Sequence, residues 1–577
     1  MTYATELAAI SRTPVELVVI TLDYCDEVFG EGSCTATGSG GAKCYNTYKT
    51  CKDTANFNKT TKDYKFSSAD VPVSRLAFQG VRPYIESIDY LPTEIKDNLT
   101  VTGKTIITFL DEPDTDIGID PYYSGRTNAN QGTFWKKFLA RNPNYIGRRI
   151  RIYHGFPSLD EADYVQKFEG VLESITINAD GTVTVEAGDL LKSIEDVMIP
   201  AETDCRLNTD IDDTSTAISV YPATGIASSG YIRIGDEIIK YDGMTDNVLD
   251  PDNVERGYWG TTAEAHSKDD AIQQVKYYSP QSPYDIISEM LLTDCSIAAG
   301  FVDSTALTAL KALDLYMVKF SAILSEPRPA RELLFEIVDL CDCKCWVGED
   351  LKITFGKNLP NYPGRAYTTI TDADNIIIDS DGVDPNIDSR ISRITMYWEK
   401  DPIGVEDDPA YYARKNQEKD TIGEGANMYN SIKEKIIWCR WLRHDYMDED
   451  LVNRYVENLL KRMLRLYKDP MPLYSFSVEM KDNAIKTGSF VRIDTDAIVD
   501  TLGASLSGKV FQVVKRSAIK DGRIDMTVLQ YPVKRICFTA ANTVPEYLSA
   551  TTAERESGFF SDTDGKMSNG YEGYYIY

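Results

Sequence analysis

The chain has 577 residues, with 89 acidic against 61 basic side chains and a formal net charge of −28. That charge argues against a surface built to grip nucleic acid through its phosphates, and that length argues against a single core; roughly three to five domains are expected. With 42% hydrophobic residues, 36 tyrosines and many segments that alternate with period two, the chain reads as α+β, multidomain and mainly β, built of several small β-barrel or β-sandwich domains with helices.

The start, Met1-Thr-Tyr-Ala-Thr-Glu-Leu7, lacks the basic residues and apolar stretch of a signal peptide, and no run of about 18 apolar residues follows. Folding in a reducing cytoplasm is the expectation. Val15 to Tyr24 is β-branched and reads as a strand that runs straight into Cys25. There begins a Gly/Ser-rich loop holding Cys25, Cys34, Cys44 and Cys51, four of the eleven cysteines within 27 residues, with eight, nine and six residues between them. Such a loop has almost no apolar residues of its own. Its thiols could form two disulfides, bind one metal ion, hold an iron–sulfur cluster or stay unlinked. No Cys-x-x-Cys chelate is present, which weakens zinc on motif alone, and a reducing compartment weakens disulfides.

The chain returns to strand near Tyr64-Lys-Phe66. Further strands are expected at Tyr84 to Ile88, Lys104 to Leu110, Arg149 to Tyr153, Gln166 to Ile177 and Thr182 to Glu186, with a short amphipathic helix at Gly132 to Arg141. Residues 1–200 thus form one β-rich domain with the cysteine loop, 25–63, inserted. Residues 201–280 read as a small inserted β-module, carrying Gly230 to Tyr241 and Arg256-Gly-Tyr-Trp-Gly-Thr-Thr262. Helical spacing takes over in 281–385, at Pro283 to Leu292, Thr305 to Leu315 and Pro329 to Leu340. Cys341-Asp-Cys-Lys-Cys345 follows; alternation on a strand would put its three thiols on one buried face, as small core residues rather than ligands. Residues 386–540 read as a β-barrel domain with the longest helix, Asp450 to Lys468, whose apolar face is expected to be Leu451, Tyr455, Leu459, Met463 and Leu466. Residues 541–577, rich in Gly, Ser, Asp and Tyr, read as an extended arm that orders against a partner.

Signatures of catalysis are missing. The three histidines, His154, His266 and His444, are far apart and beside no partner motif, and no P-loop, Gly-x-Gly-x-x-Gly, Gly-x-Ser-x-Gly or His-Glu-x-x-His occurs. The acidic runs 111–116, 210–213 and 372–374 lack the twelve-residue calcium pattern and read as solvated loops.

Three stretches carry a family resemblance. Gly41-Ala-Lys-Cys-Tyr-Asn-Thr-Tyr-Lys-Thr-Cys-Lys-Asp-Thr-Ala-Asn-Phe57, then Ile234 to Tyr241 with Arg256 to His266, then Leu459 to Ile493 with Phe511 to Arg516, resemble the baseplate hub, or tail-tip, proteins of long-tailed bacteriophages and gene transfer agents. The resemblance implies a non-enzymatic virion protein, assembled in the host cytoplasm as a homotrimeric ring that closes the tail tube. It also implies contacts with a distal tail protein, a tape-measure protein and a central tail fibre. DNA would meet it only in transit, no stable membrane insertion is expected, and the ring would open for ejection on host attachment. Cys25, Cys34, Cys44 and Cys51 are implied as ligands of a [4Fe-4S] cluster, with zinc as the alternative. A tail-borne hydrolase of the host envelope and a disulfide-linked adhesin are the competing readings.

Overall fold

The computed structural model describes residues 3–7, 13–36, 44–90, 93–96, 99–101, 104–113, 132–188, 191–313, 318–348, 352–357, 367–377, 380–482, 484–499, 505–517 and 523–530. The expected arm at 541–577 lies outside them. The chain forms two compact units. The first comprises residues 1–92, 102–193 and 347–353; the second comprises 93–101, 194–346 and 354–577. Both are mainly β, as the composition suggests, and no helix among the described residues is long and apolar enough to cross a membrane.

The first unit is a closed seven-stranded barrel. Its strands are β1 (Val15–Cys25), β2 (Lys59–Ser68), β3 (Val81–Tyr90), β4 (Lys104–Leu110), β5 (Arg149–Gly155), β6 (Val165–Ile177) and β7 (Thr182–Gly188). They follow the order β1-β2-β3-β4-β7-β6-β5, and β5 pairs back onto β1. Every pair is antiparallel except β2 with β3. β1 reads as an almost continuous apolar run because both its faces are covered. Val18, Ile20 and Leu22 belong to the main barrel core, whereas Val15, Leu17 and Val19 pack in a second cluster with Val71, Leu76, Phe156 and Tyr164.

Helix α1 (Phe134–Arg141) fills the main core with Phe134, Trp135 and Phe138. Trp135 is fully buried, stacked on Phe66 at 5.2 Å between ring centres and tilted against Phe109 at 4.9 Å. Asp111, just beyond β4, anchors the start of this helix. Its carboxylate accepts from Thr133 Oγ1 at 2.7 Å and from the Trp135 amide at 3.3 Å, placing negative charge where the helix dipole favours it.

In the second unit, the module of residues 205–272 has its own core of Leu207, Ile218, Val220, Ile232, Ile234, Ile239 and Tyr241. One carboxylate organises its longest loop. Glu237, with no exposed surface, accepts both Nε and Nη2 of Arg256, the amides of Gly257 and Glu264, and a hydrogen bond with His266 Nε2 at 2.8 Å. A three-stranded sheet places Arg393–Lys400 between antiparallel Tyr412–Lys419 and parallel Glu434–Cys439. Helix Glu449–Tyr467 buries Val452, Val456, Leu459, Leu460, Met463 and Leu464. The expected face is therefore rotated: Leu451, Tyr455 and Leu466 flank the seam, and the Tyr455 hydroxyl instead reaches the Leu340 carbonyl at 2.7 Å. A final eight-stranded sheet gathers Leu473–Glu479, Phe490–Val499, Ser505–Arg516 and Arg523–Gln530 with shorter strands.

The three thiols after residue 340 are all buried, but not along one strand. Cys341 ends helix Ala330–Leu340 in a helical conformation, and Asp342 turns the chain with a positive φ of 48°. Only Cys343 and Cys345 belong to strand Cys343–Val347, so the expected single row is broken by the helix end.

Two outcomes follow from this packing. Trp135→Ala is expected to destabilise the barrel by about 3–5 kcal/mol, read as a lower urea midpoint at unchanged slope. In the module, burial pushes the Glu237 carboxyl up, but Arg256, His266 and the two amides outweigh it and hold it below the usual glutamate range. Its contribution is therefore complete above the unfolded value of about 4.3 and is lost as pH falls through the depressed folded one. Near-ultraviolet dichroism of Trp259 should record that acid step. In Glu237→Gln the step should vanish, with about 3–5 kcal/mol already lost at neutral pH.

A candidate thiolate centre

The cysteine loop is the connection from β1 to β2. Its ends are held by the strand pairing itself, because Cys25, the last residue of β1, is paired with Lys59, the first of β2. The Asp26 amide bonding to the Asn58 carbonyl at 3.2 Å extends this closure one step into the loop. Cys25 and Cys44 are buried, Cys34 and Cys51 half-buried, and no disulfide joins any of the four.

Asn46 ties Cys25 to Cys44. Its carbonyl accepts from the Cys25 amide at 2.8 Å, and its side-chain amide donates to the Cys25 and Glu27 carbonyls at 2.8 and 2.9 Å. Asn46 does this with φ of +58°, a left-handed conformation that asparagine tolerates better than most residues. Its backbone N–H then points to Cys44 Sγ at 3.3 Å. The same arrangement recurs seven residues later, where the Asp53 N–H meets Cys51 Sγ at 3.4 Å. Asp53 Oδ2 also accepts the amide and hydroxyl of Thr35, at 2.6 and 2.8 Å, which ties the segment after Cys34 to the segment after Cys51. Amide hydrogen bonds to sulfur of this kind stabilise thiolates and tune the centres they ligate.

The four cysteines converge. Burial pushes the Cys44 thiol up, the Asn46 amide pulls it down, and the charges of Cys51, Cys25 and Cys34 all push it up again. As thiolates the four would repel one another, a repulsion that a bound cation or cluster would relieve. A tetrahedral zinc would take the sulfurs directly, with bonds of about 2.3 Å, whereas an iron–sulfur cube would interpose its own iron and sulfide. The donor set, its burial and its amide bonds fit a thiolate-ligated cluster.

The loop docks on the barrel through Tyr45. Its ring lies under the Arg141 guanidinium at 4.0 Å, so the end of α1 touches the segment carrying Cys44. Asn46 and Asp53 belong to the stretch that carries the resemblance but had no role of their own in the sequence, and Arg141 had none. For the first two the signal was there: each lies two residues after a cysteine, where a backbone N–H can turn back onto the sulfur.

The remaining candidates have structural partners. His154 Nδ1 bonds the Tyr3 hydroxyl at 2.8 Å, His266 belongs to the Glu237 network, and His444 faces Glu399 and Asp445. Asp212 collects Thr214 and Ser215 in a tight turn, and Asp372 accepts the Asp496 amide, as expected of solvated loops; residues 114–116 lie outside the described residues.

Replacing Asn46 by Ala would remove two hydrogen bonds and force alanine into a left-handed conformation, together about 2 kcal/mol. Amide exchange within residues 26–58 should accelerate about 30-fold, a ratio that corresponds to 2 kcal/mol, while β4 to β7 keep their protection.

No protein-family model matches the chain, and no curated protein matches it. Among solved structures it is similar to the 43 kDa tail protein of prophage MuSo2 from Shewanella oneidensis, at 9% identity and a TM-score of 0.37, covering 77% of this chain and 94% of that one. It is similar to the tail protein from Neisseria meningitidis MC58 at 9% identity and a TM-score of 0.34, covering 78% and 92%. A chain of the virion of a native gene transfer agent particle gives 10% identity and a TM-score of 0.30, covering 78% and 84%. Likenesses of this size carry no argument about what the chain does.

Proposed function

We propose that the chain is a structural protein of a phage-type tail, the baseplate hub at the distal end of a long non-contractile tail, with a [4Fe-4S] cluster held by Cys25, Cys34, Cys44 and Cys51. The observation that carries this reading is the convergence of those four thiols within the segment that resembles the tail-tip family. The cluster supplies a covalent cross-link to a loop with little core of its own. The residues of the chain supply the rest: β1 and β2 close the loop's ends, Asn46 and Asp53 hold its halves together, and their amides donate to two of the sulfurs.

The wider reading is mechanical. Copies of the chain assemble as a trimer around the tube end, against a distal tail protein, a tape-measure protein and a central fibre, and the ring opens for DNA on host attachment. The charge of −28 supports a conduit to which DNA does not adhere.

Anaerobic purification of the full chain should yield iron and sulfide in about a four-to-four ratio per chain, with charge-transfer absorption in the visible. Cys44→Ser should reduce both to background, while Cys439→Ser, a buried cysteine outside the loop, should retain them. Stoichiometric zinc without sulfide would replace the cluster but keep the cross-link. Antibodies against the chain should label one end of the tail in electron micrographs; labelling along the tube or on the head would overturn the hub assignment.

A further inference from the structure

A second set of metal-binding side chains lies in the second unit, unconnected with the thiols. In strand Arg393–Lys400, Trp398 is paired with Arg414 and Lys400 with Tyr412, so Glu399 stands in register opposite Ala413. It adopts φ of +63°, a conformation that costs a non-glycine residue about 1–3 kcal/mol and tends to occur where a side chain is aimed for a purpose. Its amide bonds the Leu442 carbonyl at 3.2 Å, in the segment after Cys439. Only 9% of Glu399 is exposed.

There its Oε1 meets His444 Nδ1, and Asp445 Oδ1 stands 3.8 Å from the same nitrogen. The three ligand atoms all lie within 4.8 Å of one another. Each carboxylate has its second oxygen fixed by an arginine: Arg414 Nε lies 3.4 Å from Glu399 Oε2, and Arg443 donates twice to Asp445 Oδ2, at 3.0 and 2.8 Å. These arginines leave one oxygen of each acid directed at the imidazole. His444 Nδ1 is itself buried and lies in ion-pair contact with Glu399 Oε1. An imidazole nitrogen facing two oriented carboxylate oxygens is a donor set of the kind that takes a metal cation in place of a proton. The other close group of acids, Glu332, Glu336 and Glu406, contains no such nitrogen and is answered by Arg440, Arg328 and the Trp441 N–H.

We propose that Glu399, His444 and Asp445 bind a divalent first-row cation, through one imidazole nitrogen and two carboxylate oxygens. Two of the three ligands are solvent-accessible, since His444 and Asp445 are each more than a third exposed, so water completes the coordination sphere. Arg414 and Arg443 act as outer-shell partners that orient the acids. The cation would fasten strand Arg393–Lys400 to the segment that leads into helix Glu449–Tyr467.

Mn2+ is the probe, since its preference for oxygen and nitrogen over thiolate separates this site from the cysteine loop. Titrating the purified full chain with Mn2+, and following the electron paramagnetic resonance signal of the free ion, should show one ion bound per chain. Pulsed measurements on the bound ion should show coupling to an imidazole nitrogen. His444→Ala and Glu399→Gln should each weaken binding at least about tenfold, while Cys44→Ser leaves it unchanged. If His444→Ala does not fold, His444→Gln and the nitrogen coupling of the unaltered protein decide the matter. Absence of binding up to millimolar Mn2+, binding without nitrogen coupling, equal binding by the His444 variant, or loss of binding in Cys44→Ser would each overturn the proposal.

Discussion

Coverage of β1 on both faces is the constraint on which the first unit depends. A strand with one apolar face can slide by two residues at modest cost, but β1 inserts Val18, Ile20 and Leu22 into one core and Val15, Leu17 and Val19 into another. A one-residue slip would exchange the two sets, and larger slips would pull valines and leucines out of fitted positions. The register with β2 is therefore fixed, and with it the place where β1 ends. That end is Cys25, so the geometry of the thiol loop is inherited from barrel packing some distance away. The helix that fills the barrel reaches the same loop from its other end through Arg141 and Tyr45.

Within the loop, order comes from polar groups, not from a core. Two side chains, Asn46 and Asp53, make most of the bonds that connect segments distant in sequence, and both also present an N–H to sulfur. Bringing four thiols together this way is opposed by chain entropy and, once they ionise, by mutual repulsion. The scaffold lowers the first cost by closing the loop at its base. The second is avoided while the thiols keep their protons, and would be relieved by a positive centre among them.

How much of this could be read without coordinates depends on the range of the interaction. Strands such as Lys104–Leu110 and Arg149–Gly155 were legible because period-two alternation is a local signal. That four cysteines share one loop was legible from their density. Trp135 at the centre of the barrel was not, because a short helix with an amphipathic pattern does not reveal that it lies inside a closed sheet. The long helix was placed correctly but its buried face was not: Val452 and Val456 win over Leu451 and Tyr455 because the surface they meet, not residue size, sets the rotation. Glu399 escaped notice for a similar reason. Its left-handed backbone and its meeting with His444 are set by packing between segments distant in sequence, invisible in the strand itself.

The Glu237 network has a kinetic side. Arg256, Gly257, Glu264 and His266 all converge on one carboxylate, and Arg256 spends its remaining donors on the carbonyls of Asp212, Ser215 and Glu264. Neither end of residues 256–266 can open without uncovering a buried charge, so releasing the loop from its base carries nearly the cost of complete release. A surface loop normally offers proteases a cheap local route. Here cleavage would have to wait for the whole module to open, and the longest loop of the module would be cut no sooner than its strands.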